Sequence, residues 1–151
     1  MLNIESLFCS YRDDVYRLAL SYTRNPQEAE DVCQTVFLKL MEQERITPGK
    51  ERAWLMQVTA NVCRNLLRSS WWKNTAELDE TIPAPVETKS DVYRAVMGLA
   101  PKYRVVVYLR YFEGFTTQEI ADLLKIKQTA VTTRLSRAKQ TLREQLKEVA
   151  V

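Results

Sequence analysis

An all-α fold of two small helical domains joined by an extended linker is predicted by three features of the sequence. Glycine (3) and proline (5) are too scarce among 151 residues for the many tight turns of a β protein. Apolar residues recur at spacings of three and four through long stretches rich in Leu, Ala, Glu, Lys, Arg and Gln, the pattern of amphipathic helices. One internal stretch, KNTAELDETIPAPVETKS at 73–90, has two prolines, no apolar periodicity and net negative charge, as an extended linker does. These features set domains at 1–72 and 91–151 around a linker at 73–90. With 46% hydrophobic residues, each domain can bury a core.

The elements follow in order. Ile4, Leu7, Phe8, Tyr11, Val15, Leu18, Ala19 and Tyr22 lie on one face of a first helix that stops at Arg24-Asn25-Pro26. Asn25 caps the next helix, Pro26 suits its first position and Glu28 completes a capping-box arrangement. Its stripe is Ala29, Val32, Cys33, Val36, Phe37, Leu40 and Met41. After a polar turn at 44–49, a third helix runs from about Lys50 to about Ser70 with Trp54, Leu55, Val58, Val62, Cys63 and Leu66 inward. Three such helices make an N-terminal bundle. Beyond the linker, Val92, Tyr93, Val96 and Met97 mark a helix broken at Gly98. Another starts near Pro101, buries some of Tyr103, Val106, Val107, Leu109 and Tyr111, and ends near Gly114.

Composition removes several kinds of function. There is no histidine, the commonest general base and metal ligand. Cys9, Cys33 and Cys63 are odd in number and sit within helical patterns, so they are expected as buried, reduced thiols. No nucleophile, base or metal cluster stands out, so no catalytic residue, metal or cofactor is expected, and no small-molecule substrate. No apolar run approaches a membrane span and the first residues lack a signal-peptide pattern, which predicts a cytoplasmic protein without membrane insertion.

Charge is distributed unevenly. Basic and acidic residues balance at nine each over 1–72, while 91–151 carries eleven basic against six acidic. The positive field therefore lies in the C-terminal domain, where it can meet phosphate. Residues 114–147, GFTTQEIADLLKIKQTAVTTRLSRAKQTLREQLK, concentrate it: seven basic residues against one acid between Lys125 and Lys147. Thr116 and Glu119 form a capping box for a short helix containing Ile120, Ala121, Leu123 and Leu124. A longer helix follows with Ala130, Val131, Leu135, Ala138, Leu142 and Leu146 inward, and Ala121 is small where two helices cross closely. This is a helix-turn-helix, whose second helix enters the major groove. Its outward face presents Gln128, Thr132, Thr133, Ser136, Arg137, Lys139 and Gln140, polar groups for base edges and cations for phosphates.

The stretch YFEGFTTQEIADLLKIKQTAVTTRLSRAKQTLREQL resembles the C-terminal, −35-reading domain of extracytoplasmic-function (group IV) sigma factors of the sigma-70 family. NPQEAEDVCQTVFLKL is similar to that family's polymerase-binding helix, and AWLMQVTANVCRNLLRS to its −10-binding helix. The resemblance implies a non-enzymatic promoter-specificity subunit whose partners are core RNA polymerase, promoter DNA and an anti-sigma factor. It places Asp31, Gln34 and Leu38 against the polymerase clamp and the 44–51 turn around a base flipped from the −10 element. Asn61, Arg64, Asn65 and Arg68 fall on the melted strand, and Gln128, Thr132, Thr133, Ser136, Arg137 and Lys139 on the −35 duplex with Arg134 in support. Lys125 stands where the family often has Gly, and Thr132 where a basic residue is frequent. Two readings of Trp71 and Trp72 stand: stacking on unpaired bases, or packing on the first bundle or the linker. Two rivals to the sigma-factor reading are a helix-turn-helix regulator acting without polymerase and a helical interaction protein that mimics a sigma factor.

Overall fold

A computed structural model of the protein describes residues 3–68 and 91–150, which form seven α-helices and no strand. They are α1 Ile4–Thr23, α2 Pro26–Met41, α3 Glu51–Arg68, α4 Asp91–Met97, α5 Pro101–Val107, α6 Thr117–Leu124 and α7 Gln128–Ala150. A π-helical turn, Tyr108–Phe112, continues α5. The chain divides into two units, Met1–Glu80 and Thr81–Val151. Trp71, Trp72 and the linker expected at 73–90 lie outside the described residues.

In the first unit α1, α2 and α3 pack pairwise on one another. Local chemistry sets the boundaries. Asn3 Oδ1 accepts from the N–H of Ser6 to start α1, and Arg24 ends it in the left-handed conformation at φ 55°. Asn25 Oδ1 then accepts from the N–H groups of Gln27 and Glu28, with Pro26 at the first helical position of α2. The core consists of Val15, Leu18 and Ala19 from α1, Val32, Val36 and Leu40 from α2, and Leu55, Met56 and Ala60 from α3. Each large aliphatic side chain so buried contributes about 1.5–3 kcal/mol. Arg12–Glu30 (2.9 Å) and Asp14–Arg52 (3.7 Å) cross between helices at the partly exposed margin, where such pairs add about 1 kcal/mol or less.

The inward face of α3 differs from its expected phase. Met56, Thr59 and Ala60 are buried with Leu55 and Cys63, while Trp54, Val58, Val62 and Leu66 are only partly covered. Thr59 tolerates burial because its hydroxyl donates to the Leu55 carbonyl at 2.6 Å. Cys9 is exposed, contrary to expectation. It lies two residues, about 200°, around α1 from Leu7, on the outward side. Cys33 and Cys63 are buried free thiols; desolvation pushes Cys33 up to about 11 and Cys63 higher still, so both stay protonated and inert near neutrality.

Phe8, Met41 and Val92 also leave the expected stripes for the surface. Phe8 meets Phe37 edge-on at 4.8 Å, and Met41 is the last residue of α2, 65% exposed beyond the end of the bundle. Val92 lies in the first turn of the short α4.

In the second unit α4, α5 and α6 all contact α7, which forms its spine. Val105, Val106, Val107, Leu109, Ile120, Leu124, Val131 and Ala138 make the core. Arg104 is buried among them at 2% exposure, and its Nη1 donates to the carbonyls of Leu99 (2.9 Å) and Met97 (3.4 Å). A guanidinium on the carbonyls of Met97, the last residue of α4, and Leu99 in the connection ties the end of α4 to α5 and satisfies acceptors left over there. After the π turn, Gly114 adopts φ +77°, a conformation that glycine accepts without penalty, and Phe115 returns to the core.

Candidate nucleic-acid interface

The second unit places a short helix, a tight turn and a long helix in the order the capping chemistry dictates. Thr116 Oγ1 accepts from the Glu119 N–H (3.1 Å) and Glu119 Oε1 from the Thr116 N–H (2.9 Å), a complete capping box that starts α6. Lys125 closes α6 in the left-handed region, at φ 59° and ψ 44°. Its N–H and that of Ile126 both reach the Ala121 carbonyl, the latter at 3.0 Å. The turn is thereby fixed, and α7 starts three residues later.

On α7 the core side is Val131, Leu135 and Ala138, and at about 100° per residue the opposite side centres on Thr129, Thr133, Ser136 and Gln140. Thr132, Thr133, Ser136, Arg137 and Lys139 are all exposed there, and Arg134 is half-buried at one edge. Gln128 is exposed but engaged: its Nε2 donates to Thr117 Oγ1 at 2.8 Å, linking the first turns of α6 and α7. Thr132 Oγ1 donates to the Thr129 carbonyl at 3.0 Å, a bond to its own helix backbone. Lys139 lies 5.4 Å over the Tyr111 ring, which Arg110 also approaches at 5.9 Å. The face thus has a small polar centre, one flank held by Gln128 and Lys139, and another bearing Arg134 and Arg137.

Beside that second flank lies a cleft of about 470 Å³ whose walls include Lys102, Tyr103, Lys127, Thr133, Arg134 and Arg137. The Tyr103 phenol is lowered below its ordinary range, first by a hydrogen bond from Arg137 and also by the charge of Lys102. Lys102, Tyr103, Lys127 and Thr129 were not singled out by the sequence as site residues. The Lys125–Lys147 charge excess covers Lys127, but nothing in the sequence brings Lys102 and Tyr103 to Arg137.

The left-handed Lys125 carries a stability cost that glycine avoids. Lys125→Gly is expected to stabilise the helix-turn-helix unit by about 0.5–1 kcal/mol, raising its thermal midpoint by roughly 2–8 °C in calorimetry.

In the first unit, Asp31, Gln34 and Leu38 are all exposed along one side of α2, and Leu38 is 61% exposed despite its apolar side chain. On α3, Arg64 donates to Asn61 Oδ1, which also accepts from Gln57 Nε2 at 3.4 Å; Asn65 and Arg68 are exposed. Asn61 and Arg64 therefore form one local chain rather than two independent groups. The 44–51 turn is ordered by Gly49, whose N–H donates to Glu51 Oε1 at 2.7 Å while its φ is +84°. Against the first turn of α1, with Asn3, Ser6 and Leu7, this turn borders a cleft of about 540 Å³.

A helical bundle followed by a helix-turn-helix with polar and basic side chains outward has the architecture of a two-part DNA-binding protein. Residues 7–73 match Sigma-70 region 2, and residues 89–142 match Sigma-70, region 4. The chain belongs to the sigma-70 family of RNA polymerase sigma factors, in the extracytoplasmic-function group. It is 28% identical to the ECF RNA polymerase sigma factor SigE of Mycolicibacterium smegmatis over 94% of this chain, spanning 61% of SigE. It is 29% identical to the RNA polymerase sigma factor SigV of Bacillus subtilis over 90% of this chain and 86% of SigV. Among solved structures, the sigma factor RpoE of Bartonella quintana, crystallised with the anti-sigma factor NepR, shares the fold with a TM-score of 0.76. That likeness covers 97% of this chain and 98% of RpoE at 20% identity.

Proposed function

We propose that this chain is an alternative sigma factor that mounts on core RNA polymerase through its first unit and directs it to promoters read at −10 and −35. The carrying observation is the pairing of a region 2 unit that exposes Leu38 with a region 4 unit whose reading helix exposes a polar, basic face. In this reading Asp31, Gln34 and Leu38 meet the polymerase, and Asn61, Arg64, Asn65 and Arg68 meet the melted −10 strand. The cleft beside the 44–51 turn supports capture of a base taken from the stack. Thr132, Thr133, Ser136 and Arg137 read the −35 duplex, with Gln128, Arg134 and Lys139 beside them. The working domains are 1–72 and 91–151, with 73–90 as the connector.

The protein performs no bond chemistry of its own and works in the cytoplasm. Among the described residues no helix is long and apolar enough to cross a membrane, and no cluster of His, Cys, Asp or Glu could hold a metal ion. An anti-sigma factor restrains it, as the RpoE–NepR complex suggests by likeness of fold.

The balanced charge over 1–72 gives the first unit little attraction of its own for DNA, so promoter binding is expected to require polymerase. Transcription with purified core enzyme on a genomic fragment library, followed by start-site mapping, should yield a shared −35/−10 pattern. Gel shifts on those fragments should need core enzyme. Tight, site-specific binding by the isolated chain would instead identify a conventional regulator.

A further inference from the structure

We propose that the cleft between the start of α5 and the reading helix grips one phosphodiester of promoter DNA through Lys102, Lys127 and Arg134, while Tyr103 acts as a positioning residue for Arg137. This rests on the promoter-recognition reading and extends the interface to a segment 34 residues before Arg137. Four cations, Lys102, Lys127, Arg134 and Arg137, line a single concavity, and no acidic side chain is among its lining residues. Like charges gathered without a carboxylate repel one another, and an anion between them relieves that repulsion.

A phosphodiester fits better than a free anion because Thr133, Arg134 and Arg137 belong both to the cleft and to the outward face of α7. Whatever fills the cleft must therefore coexist with a duplex on that face, and the backbone of the same duplex does so. Tyr103 supplies order. An exposed arginine otherwise samples many rotamers, and each must be frozen on binding. Tyr103 and Arg137 line the same cleft, where Arg137 and Lys102 hold the phenol below its ordinary value, and the Lys102 ammonium lies 5.1 Å over the Tyr103 ring. The base of this arrangement is rigid, since the next residue, Arg104, is buried and bonded to the Leu99 carbonyl in the connection before α5.

The test uses holoenzyme assembled from core polymerase and the full chain, on promoter fragments mapped with the unaltered protein. Promoter-complex formation is measured across a KCl series. Lys102→Gln and Lys127→Gln should each flatten the slope of log affinity against log salt by about one, equally on strong and weak −35 sequences, and Lys102→Arg should restore it. Tyr103→Phe, which removes only a hydroxyl and should leave the melting temperature unchanged, should weaken complexes roughly 5-fold. In an Arg137→Ala background the same change should have no effect. An unchanged salt slope for both lysine variants, or additive losses from Tyr103→Phe and Arg137→Ala, would overturn the proposal while leaving promoter recognition intact. So would inorganic phosphate competing at the cleft with no effect of these variants on DNA. If the unaltered holoenzyme initiates nowhere, promoter recognition and the cleft proposal fall together.

Discussion

Arg137→Glu is expected to reduce −35-dependent initiation about 100-fold while leaving the fold intact. Arg137 is exposed on the flank of α7 that the cationic cleft adjoins, so its replacement removes no core packing. A well-placed arginine on a guanine edge or phosphate contributes about 1–3 kcal/mol, and a glutamate there adds repulsion from the phosphate backbone. Together these reach the roughly 2.8 kcal/mol that a hundredfold change requires. Run-off transcription at fixed salt with the mapped promoters would measure it, beside a melting curve that should match the unaltered protein. If start sites and yields are unchanged, α7 is not the reading helix.

Leu38→Asp is expected to weaken association with core polymerase by roughly 100-fold and to leave stability unchanged or slightly higher. An aliphatic side chain 61% exposed gains nothing in the free protein; covering it in an interface gains up to about 1.5–3 kcal/mol. Aspartate loses that gain and must also be desolvated beside Asp31, which lies on the same side of α2. Leu38→Met, which conserves volume, should bind nearly as the original does. A fluorescence titration of labelled protein with core enzyme distinguishes these outcomes. Equal affinity for the aspartate and methionine variants would move the polymerase contact off this side of α2.

Helix boundaries were the most legible part of the fold, because they are written in local chemistry. Asn25 with Pro26, and Thr116 with Glu119, mark α2 and α6 by bonds made within three residues. The outward face of α7 was legible for the same kind of reason, since one helix carries all of it. The inner face of α3 was not. Periodicity is judged from large apolar residues, and there the core takes Thr59, which satisfies its own hydroxyl, and small Ala60. A charged residue reads as surface, so buried Arg104 was invisible until the carbonyls of Leu99 and Met97 were seen around it. The approach of Tyr103 to Arg137 depends on how α5 packs on α7, a tertiary fact with no short-range signal.

The π turn at Tyr108–Phe112 decides what the chain shows just ahead of the helix-turn-helix. Its wider winding carries the Glu113 N–H back to the Tyr108 carbonyl at 3.1 Å. Leu109 and Phe115 stay buried while Tyr111 and Phe112 are left more than half exposed. Regular α winding through the same residues would turn Tyr111 to another face, away from the Lys139 ammonium that lies 5.4 Å over its ring.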